Sequence, residues 1–124
     1  MARLLDSNIL IYAAQPDHAF LDEWLEAPGT MLSAISLTEV LGYGGLTSDD
    51  EKLFEAMFAQ LPMQPVSEAV LRKAAGLRRG RRMKLGDAII AATALETGSE
   101  LVTRNEQDFR GIHGLRIINP FTVR

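Results

Sequence analysis

Residues 85–95, Leu-Gly-Asp-Ala-Ile-Ile-Ala-Ala-Thr-Ala-Leu, restrict the fold more than any other stretch of the chain. At helical spacing Leu85, Ile89, Ala92 and Leu95 form one apolar stripe, and Ala88, Ile90, Ala91 and Ala94 fill most of the remaining surface. A helix apolar on nearly every side lies inside a protein or a membrane. This run is shorter than the ~20 apolar residues that a bilayer requires. It therefore predicts a central core helix whose alanines let a sheet approach closely. Asp87, in the first turn, is the misfit. A buried carboxylate is costly unless it is capped, paired or metal-bound, so Asp87 requires a partner.

The rest of the chain gives such a core room to exist. With 124 residues, 47% hydrophobic and 23% charged, the chain reads as one globular domain spanning 1–124 that needs no covalent staples. There is no cysteine, which excludes disulfides, thiolate nucleophiles and zinc–sulfur sites and suits a reducing cytoplasm. No signal peptide is visible in Met-Ala-Arg-Leu-Leu-Asp. A net charge of −3 argues against a general nucleic-acid coat but leaves room for a local basic patch.

Short apolar runs alternate with helical patterns. Arg3–Leu5 predicts a first strand, ended by Asp6, and Ser7-Asn8 opens a helix that stops at Gln15-Pro16. Pro16 suits the first turn of a second helix carrying Phe20, Trp24 and Leu25, closed by Pro28-Gly29. Thr30–Ile35 predicts a second strand, and Ser36–Glu39 leads into a helix ended by Gly42, Gly44 and Gly45. Ser48 opens the next helix, Met63–Val66 is extended, and Ser67 caps a helix through Leu77. Arg78–Lys84 reads as a basic loop before the core helix, which ends at Thr97-Gly98. Leu101–Thr103 and Leu115–Ile118 predict strands, with one helical turn at Asn105–Phe109 between them. This alternation implies βαβ units, a mainly parallel sheet and helices on both faces.

In an open α/β sheet, ligands bind beyond the carboxyl ends of the strands. Connectivity places Asp6, Glu39 and the Asn105–Asp108 segment at that rim, and Asp87 joins them if its helix points its N-terminus the same way. Several carboxylates at one rim repel each other unless a cation sits among them. Oxygen donors without histidine or cysteine suit Mg²⁺ or Mn²⁺ rather than zinc. Each acid also has a purely structural explanation. Ser36-x-x-Glu39 matches a capping box, Asp87 suits an N-cap or first turn, and Asn105 is a good N-cap. Ser48-x-x-Glu51 has the same pattern with no strand before it and reads as a plain cap. What favours chemistry is that Asp6 and Glu39 each follow a strand while Asp87 sits in an apolar helix.

The basic run leads straight into Asp87, and its location favours nucleic-acid contact over a merely solvated loop. His18 and His113 are isolated and carry no assignment, and Gly42-Tyr43-Gly44-Gly45 lacks the lysine and spacing of a P-loop. Leu53, Phe54, Met57, Phe58 and Leu61, with Phe20, Trp24 and Leu25, read mainly as core, although some suit dimerisation or a partner helix. A non-enzymatic nucleic-acid or protein interaction module is therefore the rival reading, and DNA an alternative substrate.

Four segments in order complete the pattern: Leu5-Asp6-Ser7-Asn8-Ile9-Leu10, Ser36-Leu37-Thr38-Glu39-Val40, Leu85–Ala94 and Leu101-Val102-Thr103-Arg104-Asn105-Glu106-Gln107-Asp108-Phe109. With them the chain resembles a PIN-domain ribonuclease of the VapC type, the toxin of a bacterial toxin–antitoxin pair. No one segment is specific, but the ordered set covers essentially the whole chain. The resemblance implies a PIN-like three-layer α/β/α fold, a Mg²⁺ or Mn²⁺ site, endonucleolytic RNA cleavage with tRNA or rRNA as substrate, inhibition by a cognate antitoxin, and a homodimer. It implies Asp6, Glu39, Asp87 and Asn105 as catalytic residues, with Asp6, Asp87 and Glu39 as metal ligands. Asp108 is the alternative to Asn105 at the fourth position, where many members carry Asp. Asn8 and Thr103 would orient water or the acids, and Arg81, Arg82 and Lys84 would hold RNA phosphates. Ser7 suits a helix cap better.

Overall fold

The computed structural model of the protein describes residues 2–123. Five parallel strands form one sheet in the order β3-β2-β1-β4-β5, where β1 is Arg3–Leu5, β2 Thr30–Ser33, β3 Met63–Gln64, β4 Glu100–Val102 and β5 Ile117–Ile118. The helices are α1 (Ser7–Ala13), α2 (Asp22–Glu26), α3 (Ile35–Leu41), α4 (Ser48–Gln60), α5 (Glu68–Gly80), α6 (Leu85–Thr97), α7 (Glu106–Phe109) and α8 (Pro120–Val123).

Strand side chains alternate between two cores, as the period of two demands. Leu5, Leu32 and Val102 pack with α1, α3 and α4 through Ile9, Leu10, Val40, Phe54 and Phe58. Leu4, Met31 and Leu101 face the other way, onto Ile90, Ala91 and Ala94 of α6. On its far side α6 meets α5, with Ala88, Ile89 and Ala92 against Val70 and Ala74. The small alanines let α6 serve two neighbours at once, so the helix predicted to be central is central, and the architecture is the three-layer α/β/α expected. Ala88 through Ala94 are all buried, but Leu85, counted in the apolar stripe, is 57% exposed at the helix start. Gly98 ends α6 in the left-handed conformation (φ 64°) that glycine adopts without strain.

Several boundaries differ from those the sequence suggests. The second helix is broken: Pro16–Leu21 is a 3₁₀ segment with His18 off helical geometry, and only Asp22–Glu26 is α-helical. The second strand stops at Ser33, whose Oγ accepts the Ile35 N–H and turns the chain into α3, so Ile35 is helical and not extended. Arg78, Arg79 and Gly80 are the last turn of α5 rather than loop, leaving 81–84 as the connection. The last strand is two residues, Ile117–Ile118, instead of Leu115–Ile118, and Pro120 starts a short helix beyond it. The cap of α4 is Thr47, whose hydroxyl accepts the Asp50 N–H, one residue before the Ser48 expected.

The chain lays β2 and β3 to one side of β1, then crosses to lay β4 and β5 on the other. The carboxyl ends of β1 and β4 therefore flank the topological switch point, where open α/β sheets bind ligands.

Candidate active site

At that switch point Asp6, the first residue beyond β1, meets Thr103, the first beyond β4. The Thr103 hydroxyl donates to Asp6 Oδ2 at 2.8 Å and accepts the Asn105 N–H at 3.0 Å. The Asp6 N–H donates to the Val102 carbonyl, so the carboxylate is fixed by the sheet itself. It is 4% exposed. Burial pushes its carboxyl up to about 6; the Thr103 hydroxyl and Ser7 N–H oppose this, and the charges of Asp87 and Glu39 reinforce it.

Glu39 arrives from α3, near the end of β2. Its Oε1 accepts from the Ser7 hydroxyl at 2.7 Å, and Ser7 Oγ lies 2.7 Å from Ser36 Oγ. A hydroxyl has one proton, so a Ser7 that donates to Glu39 must accept from Ser36. This overturns the capping-box explanation of Ser36-x-x-Glu39. The helix is entered through Ala34, and Ser36 and Glu39 point to Ser7 instead of to each other's backbone. It also overturns the preference for Ser7 as a cap, because Asp6 occupies the cap position of α1 and Ser7 is its first helical residue.

Asp87 sits in the first turn of α6, after the cap residue Lys84, and makes no capping bond. It is half-buried, and desolvation raises its carboxyl above the ordinary range; Asp108 and Glu39 raise it further, while Lys84 lowers it. A Cβ on Gly86 would collide with Glu39 Oε2 and come within 3.0 Å of its Cδ. The absence of a side chain at residue 86 leaves the Glu39 carboxylate room to lie where it does beside the start of α6.

Asp6, Glu39, Asp87 and Asp108 therefore form one electrostatic group at the strand ends. Neither ion pair found among the described residues, Arg3–Glu100 or Arg72–Glu68, involves any of them. Among the described residues no three acids or histidines converge as a ready-made chelate. Mg²⁺ does not require one, since it is commonly held by one or two carboxylates and several waters. Mutually repelling oxygen donors, two of them with raised carboxyls, fit a hard divalent cation.

The remaining predicted residues are placed unevenly. Asn105 caps α7 by position but makes no side-chain cap bond, and Asn8 makes no side-chain hydrogen bond among the described residues. Arg82 and Lys84 are exposed. Arg81 is partly spent, because its guanidinium donates to the carbonyls of Arg110 (2.7 Å) and Asp108 (3.4 Å), tying the basic connection to the α7 segment. Ser7 and Ser36, which the sequence offers as caps, hold Glu39 instead, and Gly86 is a site residue that sequence reasoning does not find. One signal was present: a helix-disfavouring glycine directly before Asp87 in the most helical stretch of the chain.

The sequence matches the PIN domain family over residues 3–115. No curated protein matches it. Among solved structures, a toxin–antitoxin complex from Klebsiella pneumoniae contains a similar chain, 31% identical, with a TM-score of 0.79 over 96% of this chain and 98% of that one. FitAcB from Neisseria gonorrhoeae is 26% identical, with a TM-score of 0.71 over 98% and 99%. VapBC2 from Rickettsia felis bound to a DNA fragment from their promoter shares the fold at 24% identity, with a TM-score of 0.79 over 96% and 98%.

Proposed function

The chain belongs to the PIN-domain family, alongside VapC-type toxins, and from that premise we propose that it is a metal-dependent endoribonuclease toxin restrained by a cognate antitoxin. The observation that carries the reading is the acidic group at the switch point: Asp6, Glu39, Asp87 and Asp108, whose charges act on one another and none of which forms an ion pair among the described residues.

Asp6 and Asp87 are the residues assigned to hold Mg²⁺ or Mn²⁺, with Glu39 as a further ligand or as the base that orients water. A divalent ion there supplies Lewis acidity, lowering the pKa of water and offsetting charge on phosphoryl oxygens. The protein's part is positioning. Thr103 fixes Asp6, and Ser7 fixes Glu39. Asp108, whose charge reaches Asp87, is the carboxylate assigned to the fourth position, with the Asn105 amide as the alternative. Arg82 and Lys84 are assigned to RNA phosphates; Arg81 contributes by holding the α7 segment in place.

A partner surface is supported by an open groove of about 610 Å³ between α2 and α4, lined by Leu25, Leu53, Met57 and Leu61 with Asp22 and Glu26 at its rim. Trp24, Phe54 and Phe58 are core and leave this groove to the half-exposed residues. We assign it to an antitoxin segment, in keeping with the toxin–antitoxin complex from Klebsiella pneumoniae.

The test is cleavage of tRNA, rRNA and single-stranded DNA with and without Mn²⁺, by wild type and Asp87→Asn. Wild type should cut RNA only with metal. Asp87→Asn, which preserves shape at a position with no capping bond, should lose at least about 100-fold in rate while its unfolding midpoint stays near that of wild type. Undiminished EDTA-sensitive cleavage by Asp87→Asn would remove the assignment. Metal-independent RNA binding without cleavage would favour the non-enzymatic module.

A further inference from the structure

Between Thr103, which holds Asp6, and Asn105, which bonds Thr103, stands Arg104. Its side chain is exposed, yet it is not loose. The guanidinium carbon lies 4.1 Å from the ring centroid of Phe121 and 4.9 Å from that of Tyr12. The two rings meet edge to face at 5.3 Å, and His18 and Phe20 pack around Phe121. An arginine resting on aromatic faces keeps its N–H edges available. Among the described residues none of those N–H groups has an acceptor, and no carboxylate pairs with Arg104. Glu106, the nearest acid in sequence, instead accepts the Asn119 amide at 2.9 Å.

The same segment forms an open cleft of about 350 Å³ lined by Arg104, Asn105, Glu106, Gln107, Asp108 and Arg110. Its lining includes Asp108, a member of the acidic group, and two arginines, Arg104 and Arg110. Arg81 ties down the same segment by donating to the carbonyls of Asp108 and Arg110. An oriented, unspent guanidinium beside a phosphodiester-cutting site is suited to a planar, two-pronged grip on phosphate.

We propose that this cleft binds a phosphodiester of single-stranded RNA next to the one cut, with Arg104, held by Tyr12 and Phe121, as the gripping residue and Arg110 assisting. The claim rests on the ribonuclease reading and extends it to substrate positioning. Arg104 sets where the strand lies and takes no part in the chemistry.

The experiment is binding of a short single-stranded oligoribonucleotide by fluorescence anisotropy across a salt series, in the Asp87→Asn background, alongside cleavage kinetics in the otherwise wild-type protein. Arg104→Ala should weaken binding about tenfold and reduce the slope of log K against log salt by about 0.7, the share of one contact to a single strand. In cleavage it should raise KM more than it lowers kcat. Phe121→Leu keeps the charge but frees the guanidinium, so it should weaken binding by less and leave the slope unchanged. Arg110→Ala supplies an independent reading of the same cleft and should also lower the slope. Unaltered affinity and slope in folded Arg104→Ala and Arg110→Ala would overturn the proposal while leaving the ribonuclease reading intact. A wild-type protein that neither binds nor cuts RNA would overturn both.

Discussion

Asp6 is the most constrained acid in the molecule, and its proton equilibrium has a measurable consequence. Its carboxyl goes from 3.8 when exposed to about 6 in the fold. The folded state therefore binds the Asp6 proton more tightly than the unfolded state does. In chelator, the stability due to this proton is fully present below about pH 4 and is lost as pH rises through about 6. A shift of this size corresponds to ~3 kcal/mol at most. Asp6→Asn retains an acceptor for the Thr103 hydroxyl and removes the charge. In metal-free solution at pH 7 it should be more stable than wild type by roughly 1–3 kcal/mol, and its urea midpoint should lose the wild-type decline between pH 4 and 6. A variant less stable than wild type at pH 7 would mean that burial does not penalise this charge. The same acid makes cation binding pH-dependent, since a ligand must be deprotonated to bind.

At the scale of the element, α6 combines two demands that conflict at one residue. Its middle is a solid apolar rod between the sheet and α5, while its first turn must carry Asp87 beside Glu39. Gly86 reconciles them at a cost in helix propensity. Gly86→Ala should gain up to ~1 kcal/mol in propensity, but the new Cβ displaces the Glu39 carboxylate. Glu39 is exposed and can swing into water, so the fold survives and the site does not. The expected result is a protein within about 1 kcal/mol of wild type or better whose cleavage falls about 10- to 100-fold; full activity would mean that Glu39 does not need its present position. Elements such as α6 were legible because apolar periodicity is local. So was the placement of Asp6 and Glu39 at the rim, because each follows a strand. What decided Ser36 and Glu39 was not local. Their pattern matches a capping box, but Ser7, 29 residues before Ser36, attracts both side chains. Arg78 and Arg79 read as loop from their clustered charge, yet arginine is a good helix former and both complete the last turn of α5. The Arg104 stack joins residues 12, 104 and 121, which no sequence window contains.

At the scale of the whole molecule, parallel topology concentrates acid at one edge. Four carboxylates from the segments after β1, β2, β4 and α5 lie there within electrostatic reach of one another although the net charge of the chain is only −3. A cation that binds only the folded arrangement must stabilise the whole fold, because the unfolded chain scatters its ligands along more than 100 residues. With Mn²⁺ at 100 times its dissociation constant the gain is about 2.7 kcal/mol, which for a domain of this size raises the melting temperature by on the order of 10 °C. Asp87→Asn should lose most of that rise, whereas Arg82→Ala, which removes no oxygen donor, should keep it. A melting temperature indifferent to Mn²⁺ and EDTA would show that the acidic edge does not hold metal before substrate arrives. The cation would then have to enter with RNA, whose phosphates would complete its coordination.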